Sequence, residues 1–198
     1  MPSRQAATPP TAYGRAILRL ARRDHTVAEL RRALLERGYA QDEVEAAIER
    51  LCREKYLDDQ GYAERFARSR LTNQGLGRVR IRQALRQRGV DLGETESGIR
   101  TAFVDVDEQA LVDALARRYW RQHTRSEPER RLPRLWAFLV RRGFAAGLVQ
   151  ERLRALWPKW SDALEGLEPL DDEALGRGTD GELPGQRGAA AIRPGDES

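Results

Sequence analysis

The chain has 198 residues, of which 33% are charged, and its formal net charge is +4. Its one cysteine, Cys52, excludes an internal disulfide framework and a zinc site built on cysteines. No uninterrupted apolar run approaches the ~18 residues that a membrane helix needs, and the first residues lack the apolar middle of a signal peptide. These exclusions predict a soluble, cytoplasmic protein that does not enter a membrane.

The charge is unevenly distributed along the chain. Residues 1–161 carry 32 basic and 21 acidic side chains, whereas residues 162–198 carry three basic and ten acidic ones. The folded part is therefore predicted to be basic. The tail is rich in glycine and acid and almost free of aromatic residues, so it cannot bury enough apolar surface to fold. We predict disorder for residues 166–198 and for the proline-rich residues 1–10.

Three Arg-Gly pairs mark a repeat in the middle of the chain, with the glycines at Gly38, Gly89 and Gly143, 51 and 54 residues apart. Apolar residues recur eight and four positions before each glycine and one and ten positions after it. These twelve residues are Leu30, Leu34, Tyr39, Ile48, Ile81, Leu85, Val90, Ile99, Leu135, Leu139, Phe144 and Leu153. So many matches in register indicate three copies of one unit. Their helical spacing and the lack of β-branched runs predict an all-α protein.

The first repeat, residues 11–58, predicts three amphipathic helices. Thr26 and Glu29 have the spacing of a capping box at the start of the second helix. Gly38 is expected to end that helix in the left-handed conformation. Asp42 is then predicted to cap the third helix.

The second repeat, residues 59–105, begins beside two adjacent carboxylates. Asp59 is predicted to cap its first helix, and Asp58 to add favourable negative charge at the same terminus. An alternative is that the pair holds a metal or shares acid and base chemistry, but no further ligands converge on it in the sequence. Tyr62 and Phe66 are interpreted as core residues rather than as a platform for stacking bases.

The third repeat, residues 106–160, contains Pro133 inside an apolar periodic segment. The repeat register places this proline in the first turn of its helix, where a missing N–H costs little. Trp136 is interpreted as a core residue. Units of about 50 residues bury little alone and are expected to stack on their neighbours. The predicted fold is thus three tandem three-helix repeats in an elongated, curved array with disordered termini.

No catalytic residue, metal site or cofactor site is predicted. The glycines of NQGLGRVR do not follow a strand and do not match a phosphate-binding loop. His25 and His123 lie far apart without a nucleophile or base beside them, so they are expected to be solvated or to cap helices. An enzyme is therefore the least supported class of function.

A longer motif runs across the second repeat. Its residues are Leu57, Asp58, Asp59, Tyr62, Ala63, Phe66, Arg70, Gly77, Arg80, Ile81, Leu85, Arg88, Gly89 and Val90. This motif resembles the signature of the RecX family of recombination regulators. The similarity is strongest over residues 56–90 and extends over roughly residues 12–157.

The resemblance implies a bacterial, cytoplasmic, all-α protein of three three-helix repeats. It implies that the chain binds the RecA filament in its helical groove and inhibits ATP hydrolysis, strand exchange and co-protease activity. A monomer without a cofactor is expected, and weak, salt-dependent binding to single- or double-stranded DNA is compatible with the basic charge. The proline-rich start and the acidic tail depart from the family pattern, and no function is carried onto them.

Arginines on the predicted second helices are the candidate contacts. Arg78, Arg82 and Arg86 follow one another at i, i+4 and i+8, which places them along one edge of a helix. The candidates for binding the RecA filament or DNA are Arg31, Arg32, Arg70, Arg78, Arg80, Arg82, Arg86, Arg141 and Arg142. The alternative is that these arginines form an ordinary solvated face balanced by nearby glutamates.

A second class of function is an independent DNA-binding protein of the helix-turn-helix type. In it, one unit would place a recognition helix in the major groove. The segment VDLGETESG, residues 90–98, supplies mainly acid at the start of such a helix. Acid there would meet phosphates and base edges, which disfavours this alternative.

Overall fold

The computed structural model describes residues 11–167, which are helical with short connections. The described elements are α1 (Ala12–Leu20), α2 (Val27–Leu35), α3 (Gln41–Arg53), α4 (Asp59–Gln74), α5 (Arg78–Gln87), α6 (Leu92–Ala102), α7 (Glu108–Gln122), α8 (Pro128–Arg141), α9 (Ala146–Leu156) and a 3-10 helix (Pro158–Leu164). No helix in this range is long and apolar enough to cross a membrane. The predicted disorder falls outside the described residues, except at Gly166 and Leu167, and Leu167 packs against the third core.

Each repeat contains its own apolar core. In all three repeats, the first and second helices pack on the third, and three separate buried clusters result. Eleven of the twelve apolar residues found in register are buried, and only Tyr39 is half-buried. Each fully buried leucine contributes about 1.5–3 kcal/mol from removal of its side chain from water. The prediction of three tandem three-helix repeats is confirmed.

The ends of the second helices follow the prediction closely. The Thr26 hydroxyl accepts a hydrogen bond from the backbone N–H of Glu29 at 3.1 Å, so Thr26 caps α2. Gly38, Gly89 and Gly143 take φ values of 84°, 76° and 88°, which side chains other than glycine rarely adopt. The other half of the predicted capping box is replaced, because the Glu29 carboxylate accepts a hydrogen bond from Arg23 instead.

The predicted cap of α3 is wrong. The helix begins at Gln41, and Ala40 occupies the N-cap position without a side-chain hydrogen bond. Asp42 lies inside the first turn, where its charge still favours the positive end of the helix. The neighbouring Glu43 accepts a hydrogen bond from the backbone N–H of Ala12 at 2.8 Å, which ties α3 to the start of α1.

The predicted cap of α4 is displaced by one residue. Asp58, not Asp59, is the N-cap, and its carboxylate accepts a hydrogen bond from the backbone N–H of Gly61 at 3.1 Å. Asp59 is buried and accepts hydrogen bonds from the backbone N–H of Val27, with N–O distances of 3.0 and 3.3 Å. Both carboxylates are therefore structural, and one of them connects two repeats.

The prediction for Pro133 is wrong as well. Because α8 already begins at Pro128, Pro133 is its sixth residue and removes one hydrogen bond from the helix interior. The added turn is fixed by Arg131, which is buried, lies 4.4 Å from the Trp120 ring centre and donates to the Thr124 carbonyl at 3.0 Å. In the repeat register, Arg131 takes the position of Thr26, the N-cap of α2.

Adjacent repeats meet where the second helix of one repeat starts and that of the next repeat ends. The Thr26 hydroxyl at the start of α2 donates to the Arg88 carbonyl at 2.7 Å. At the second junction, the backbone N–H of Gly77 donates to the Arg142 carbonyl at 2.8 Å. The hydrogen bonds Thr26–Arg88, Val27–Asp59 and Arg65–Asp24 join the first repeat to the second, and Gly77–Arg142 and Arg78–Glu108 join the second to the third.

Candidate binding surface

Two of the candidate arginines are held in equivalent ion pairs inside their own repeats. Arg31 donates to Glu45 from two nitrogens, with N–O distances of 2.7 and 2.9 Å. Arg82 binds Glu96 in the same way, and the second of its contacts is 3.1 Å long. Both pairs join the second helix to the third at a separation of 14 residues. Each pair links two helices of one repeat. The separation of 14 residues, which is the same in both repeats, is a sequence signal from which the pairs could have been predicted.

The ion pairs also perturb the acids involved. The Arg82 guanidinium holds the pKa of Glu96 below its usual range, and Arg31 does the same for Glu45. These lowered pKa values reflect the two ion pairs, which join the second helix to the third in each of the two repeats. A stripe formed by Arg78, Arg82 and Arg86 is consequently not a uniform outward basic edge.

Arg78 is engaged at the junction of the second and third repeats. Its Nε donates to Glu108 at 3.1 Å, and its guanidinium lies 4.3 Å from the Phe103 ring centre. Arg80 is half-buried at the same junction, where a Cβ added to Gly143 would collide with its backbone nitrogen. These two arginines therefore contribute to the contact between repeats.

Arg142 closes the same junction from the other side. Its guanidinium donates to the backbone carbonyl of Gln74 at the end of α4 and lies 4.7 Å from the Phe138 ring centre. Burial lowers the pKa of Arg142, and the nearby positive charge of Arg118 lowers it further. Arg118 is exposed and was not among the predicted candidates.

Arg70 lies on the face of Phe66. Its guanidinium is 4.9 Å from the ring centre, and Arg88 lies 4.7 Å from the same ring. Phe66 also stacks on Tyr62, which is buried, with ring centres 6.0 Å apart. The ring therefore belongs to a packed cation–π cluster, in keeping with its interpretation as a core residue.

Three candidates are exposed on the surface, namely Arg32, Arg86 and Arg141. None of them has a hydrogen bond or an ion pair to another residue between positions 11 and 167. We refer to Arg32, Arg86 and Arg141 as the exposed arginine set. They lie one on each of the three second helices, α2, α5 and α8.

The side chains that commonly bind metal ions do not cluster in the described range. No group of three or more His, Cys, Asp or Glu side chains there could hold a metal ion. Burial raises the pKa of the Cys52 thiol, which favours its protonated form. His25 is buried rather than solvated, which corrects the prediction, whereas the exposed His123 stacks on Tyr119 near the end of α7.

Comparison with family models matches all three repeats. The models described as the first, second and third three-helix domains of RecX match residues 12–51, 58–92 and 106–157. The chain is 38% identical over 144 residues to the regulatory protein RecX of Trichlorobacter lovleyi, a match that covers 72% of this chain and 94% of the relative. It is 40% identical over 135 residues to the regulatory protein RecX of Halorhodospira halophila, covering 68% and 81%.

The fold matches solved structures as well. The crystal structure of RecX from Lactobacillus salivarius superposes with a TM-score of 0.66 and 19% sequence identity, over 73% of this chain and 94% of that one. A second crystal structure of a regulatory protein RecX gives a TM-score of 0.62 at 22% identity. The matches to solved structures support the fold, and the sequence matches support common ancestry with the RecX proteins. Because three successive family models together cover most of the folded residues, the chain belongs to the RecX family.

Proposed function

We propose that this protein is a non-enzymatic regulator that binds the RecA–DNA filament in the cytoplasm and inhibits RecA's ATPase, strand exchange and co-protease activities. The observation that carries the proposal is the match of all three repeats, in order, to RecX domains. A linear array of repeats offers an extended surface, and such a surface suits a partner that is itself a polymer. The basic charge of residues 1–161 suits a partner that contains DNA.

The exposed arginine set is proposed to contact phosphates or carboxylates of the RecA–DNA filament. Its members are free of internal ion pairs to the described residues, so binding a phosphate or a carboxylate does not require an existing bridge to break. Arg31 and Arg82 would first have to release their glutamates. In this proposal, the exposed arginine set binds the partner, whereas Arg31 and Arg82 stabilise their own repeats.

An ATPase assay with purified RecA on single-stranded DNA tests the proposal directly. Substoichiometric amounts of the protein are expected to slow ATP hydrolysis, because each molecule would span filament subunits. An unchanged ATPase rate at equimolar protein would contradict the proposed function.

Variants of the arginines test the proposed surface. We expect the triple variant R32A/R86A/R141A to weaken filament binding and to reduce its salt dependence, with its helical circular dichroism unchanged. The matched control is R31A/R82A, which should lower the melting temperature while leaving the exposed set in place. If the triple variant bound as tightly as the wild type, this surface would be removed from the mechanism.

The helix-turn-helix alternative is disfavoured by the third helices. In the first repeat, the first turn of α3 carries Asp42 and Glu43, and in the second repeat that of α6 carries Glu94. Negative charge at these positions would face the phosphates of a duplex. A sequence-specific footprint on naked duplex DNA at moderate salt would favour this alternative over the filament.

A further inference from the structure

Two of the three Arg-Gly turns are occupied by a neighbouring repeat, and the third is open. A Cβ added to Gly89 would collide with Ala28 of α2, and one added to Gly143 would collide with the backbone of Arg80 in α5. Gly38 has the same left-handed conformation, yet no atom of residues 11–167 lies within 4 Å of a Cβ built on it. The Arg37–Gly38 turn is therefore the unfilled member of a repeated contact.

The occupied turns show what chemistry they accept. Their carbonyl oxygens accept hydrogen bonds from the start of a helix. The donor is the Thr26 hydroxyl at one turn and the backbone N–H groups of Gly77 and Val79 at the other. The first N–H groups of a helix have no partner within that helix, and the carbonyls at a helix end are similarly unsatisfied. The positive end of one helix thus meets the negative end of the next.

Among the described residues, no helix covers the corresponding groups of the Arg37–Gly38 turn. Arg37 and Gly38 are exposed, and no residue in the range 11–167 donates a hydrogen bond to either of their carbonyl oxygens. Leu35 is 40% exposed, whereas Val140, its equivalent in the third repeat, is 3% exposed.

The second helices of another copy of the chain do not supply a matching start. The second helices of the first two repeats already occupy turns within the molecule. The second helix of the third repeat begins with an added turn and has Pro128, which lacks an N–H, as its first residue. The position equivalent to Thr26 is taken by Arg131, which is buried and already bonded to the carbonyls of Thr124 and Ser126.

We propose that the Arg37–Gly38 turn is a docking point for a helix N-terminus of a different protein, with a small residue in the first turn of that helix. On the proposed function, on which this inference rests, that protein is a subunit of the RecA filament. The partner's first N–H groups or a capping hydroxyl donate to the carbonyls of the turn, and its first turn packs over Gly38 and Leu35. The contact repeats, between two proteins, the junction that joins the repeats of this chain.

A side chain at Gly38 tests the proposal with little strain, because asparagine tolerates the left-handed conformation better than other residues do. The matched control is Gly166, which has a φ of 72°, is exposed and also has nothing within 4 Å of an added Cβ. We expect G38N to weaken binding to RecA filaments on single-stranded DNA at least tenfold, and G166N to change it less than twofold. Both variants should melt within a few degrees of each other.

The binding measurements distinguish a failure of the proposed function from a failure of the docking point. Wild-type protein that fails to bind the filament overturns the proposed function. Wild-type protein that binds, together with G38N that binds equally well, overturns the docking point alone.

Crosslinking provides a second readout that does not depend on affinity. A G38C variant in a C52A background, labelled with a benzophenone maleimide, should crosslink to RecA in the filament on irradiation, whereas the G166C variant in the same background should not. Crosslinks that join two copies of this chain, or equal yields from both positions, would overturn the proposal.

Discussion

Asp59 connects the first two repeats through a single buried carboxylate. Its oxygens accept the backbone N–H of Val27 at the start of α2, a group that has no partner within its own helix. Burial raises the pKa of Asp59, and the nearby Asp58 and Glu29 act in the same direction. The carboxylate therefore provides a needed acceptor at the cost of a partly desolvated charge.

Substitutions at Asp59 separate these two contributions. D59N retains an oxygen acceptor and removes the charge, so we expect its free energy of unfolding at pH 7 to equal or exceed that of the wild type. D59A leaves the Val27 N–H without its acceptor, which should cost about 1–2 kcal/mol. Urea denaturation measures both values. Equal losses in the two variants would show that the charge, rather than the acceptor, is required.

His25 makes stability depend on pH. Burial lowers its pKa, and the positive charge of Arg23 lowers it further, against the opposing attraction of Glu29. The unfolded chain therefore takes up a proton near pH 6.5, before the folded chain does. Stability should fall as the pH decreases below about 6.5 and should level off below the pKa of the folded state.

The variant H25Q removes this titration while keeping a polar side chain of similar length. We expect the difference in unfolding free energy between pH 8 and pH 5 to be smaller in H25Q than in the wild type, because all other titrating groups are shared. Urea titrations at the two pH values give this difference. A larger pH dependence in H25Q would contradict the assignment.

Sequence reasoning identified individual residues correctly where the contact is local. Thr26 caps α2 as predicted, since a cap depends on the three residues that follow it. It placed the α4 cap one residue late, because either aspartate satisfies the pattern and only the position of Val27 in space decides between them. For Arg31 and Arg82, the alternative of a face balanced by glutamates describes their contacts within the repeat, and their contact with RecA or DNA stays a prediction.

The Arg-Gly turns test how elements join. G38A introduces only left-handed strain, which costs roughly 1–2 kcal/mol for a residue with a side chain. G89A adds a collision with Ala28 of the preceding repeat, so we expect a further loss of about 1–3 kcal/mol. Thermal and urea denaturation of the two variants check this difference. Similar losses would mean that the first junction contributes little to stability.

The length of α8 could not be predicted from its own pattern. The register predicted a start near Arg131, and a proline in the first turn agreed with that start. The observed helix is longer because Arg131 is held by Trp120 and by backbone carbonyls of the preceding loop. These tertiary contacts outweigh the hydrogen bond that Pro133 removes. The helical spacing of the apolar residues thus predicted that this segment is a helix, whereas the contacts of Arg131 determine where the helix begins.

The repeat architecture was predictable because the same pattern of apolar residues occurs three times in the chain. Leu34, Leu85 and Leu139 occupy equivalent positions, and each is fully buried in its own cluster. The separation of the clusters was not predicted, since periodicity indicates which face of a helix is buried but not against which helix. The repeats also contact one another, in keeping with the expected stacking, since Val79 of the second repeat packs against the third cluster. The curvature of the array stays a prediction.

The acidic tail affects the charge of the whole molecule. Residues 168–198 carry eight acidic and three basic side chains, so deleting them raises the formal net charge from +4 to +9. We expect the shortened protein to bind single-stranded DNA several-fold more tightly at about 50 mM salt, with the difference shrinking as screening increases. Fluorescence anisotropy over a salt series measures this effect.

A control of equal length distinguishes charge from bulk. A variant with the eight acidic residues of the tail changed to Asn or Gln should bind DNA like the shortened protein. If it bound like the wild type instead, the effect would arise from the presence of the tail rather than from its charge.

The three separate cores have a mechanical consequence. Each repeat has its own buried cluster, and the repeats are joined by polar contacts at Thr26, Asp59, Gly77, Arg78 and Arg142 and by Val79, which packs against the third cluster. Opening one of these joints is expected to break its contacts while the three buried clusters stay packed, so the repeats should separate from one another before any of them unfolds.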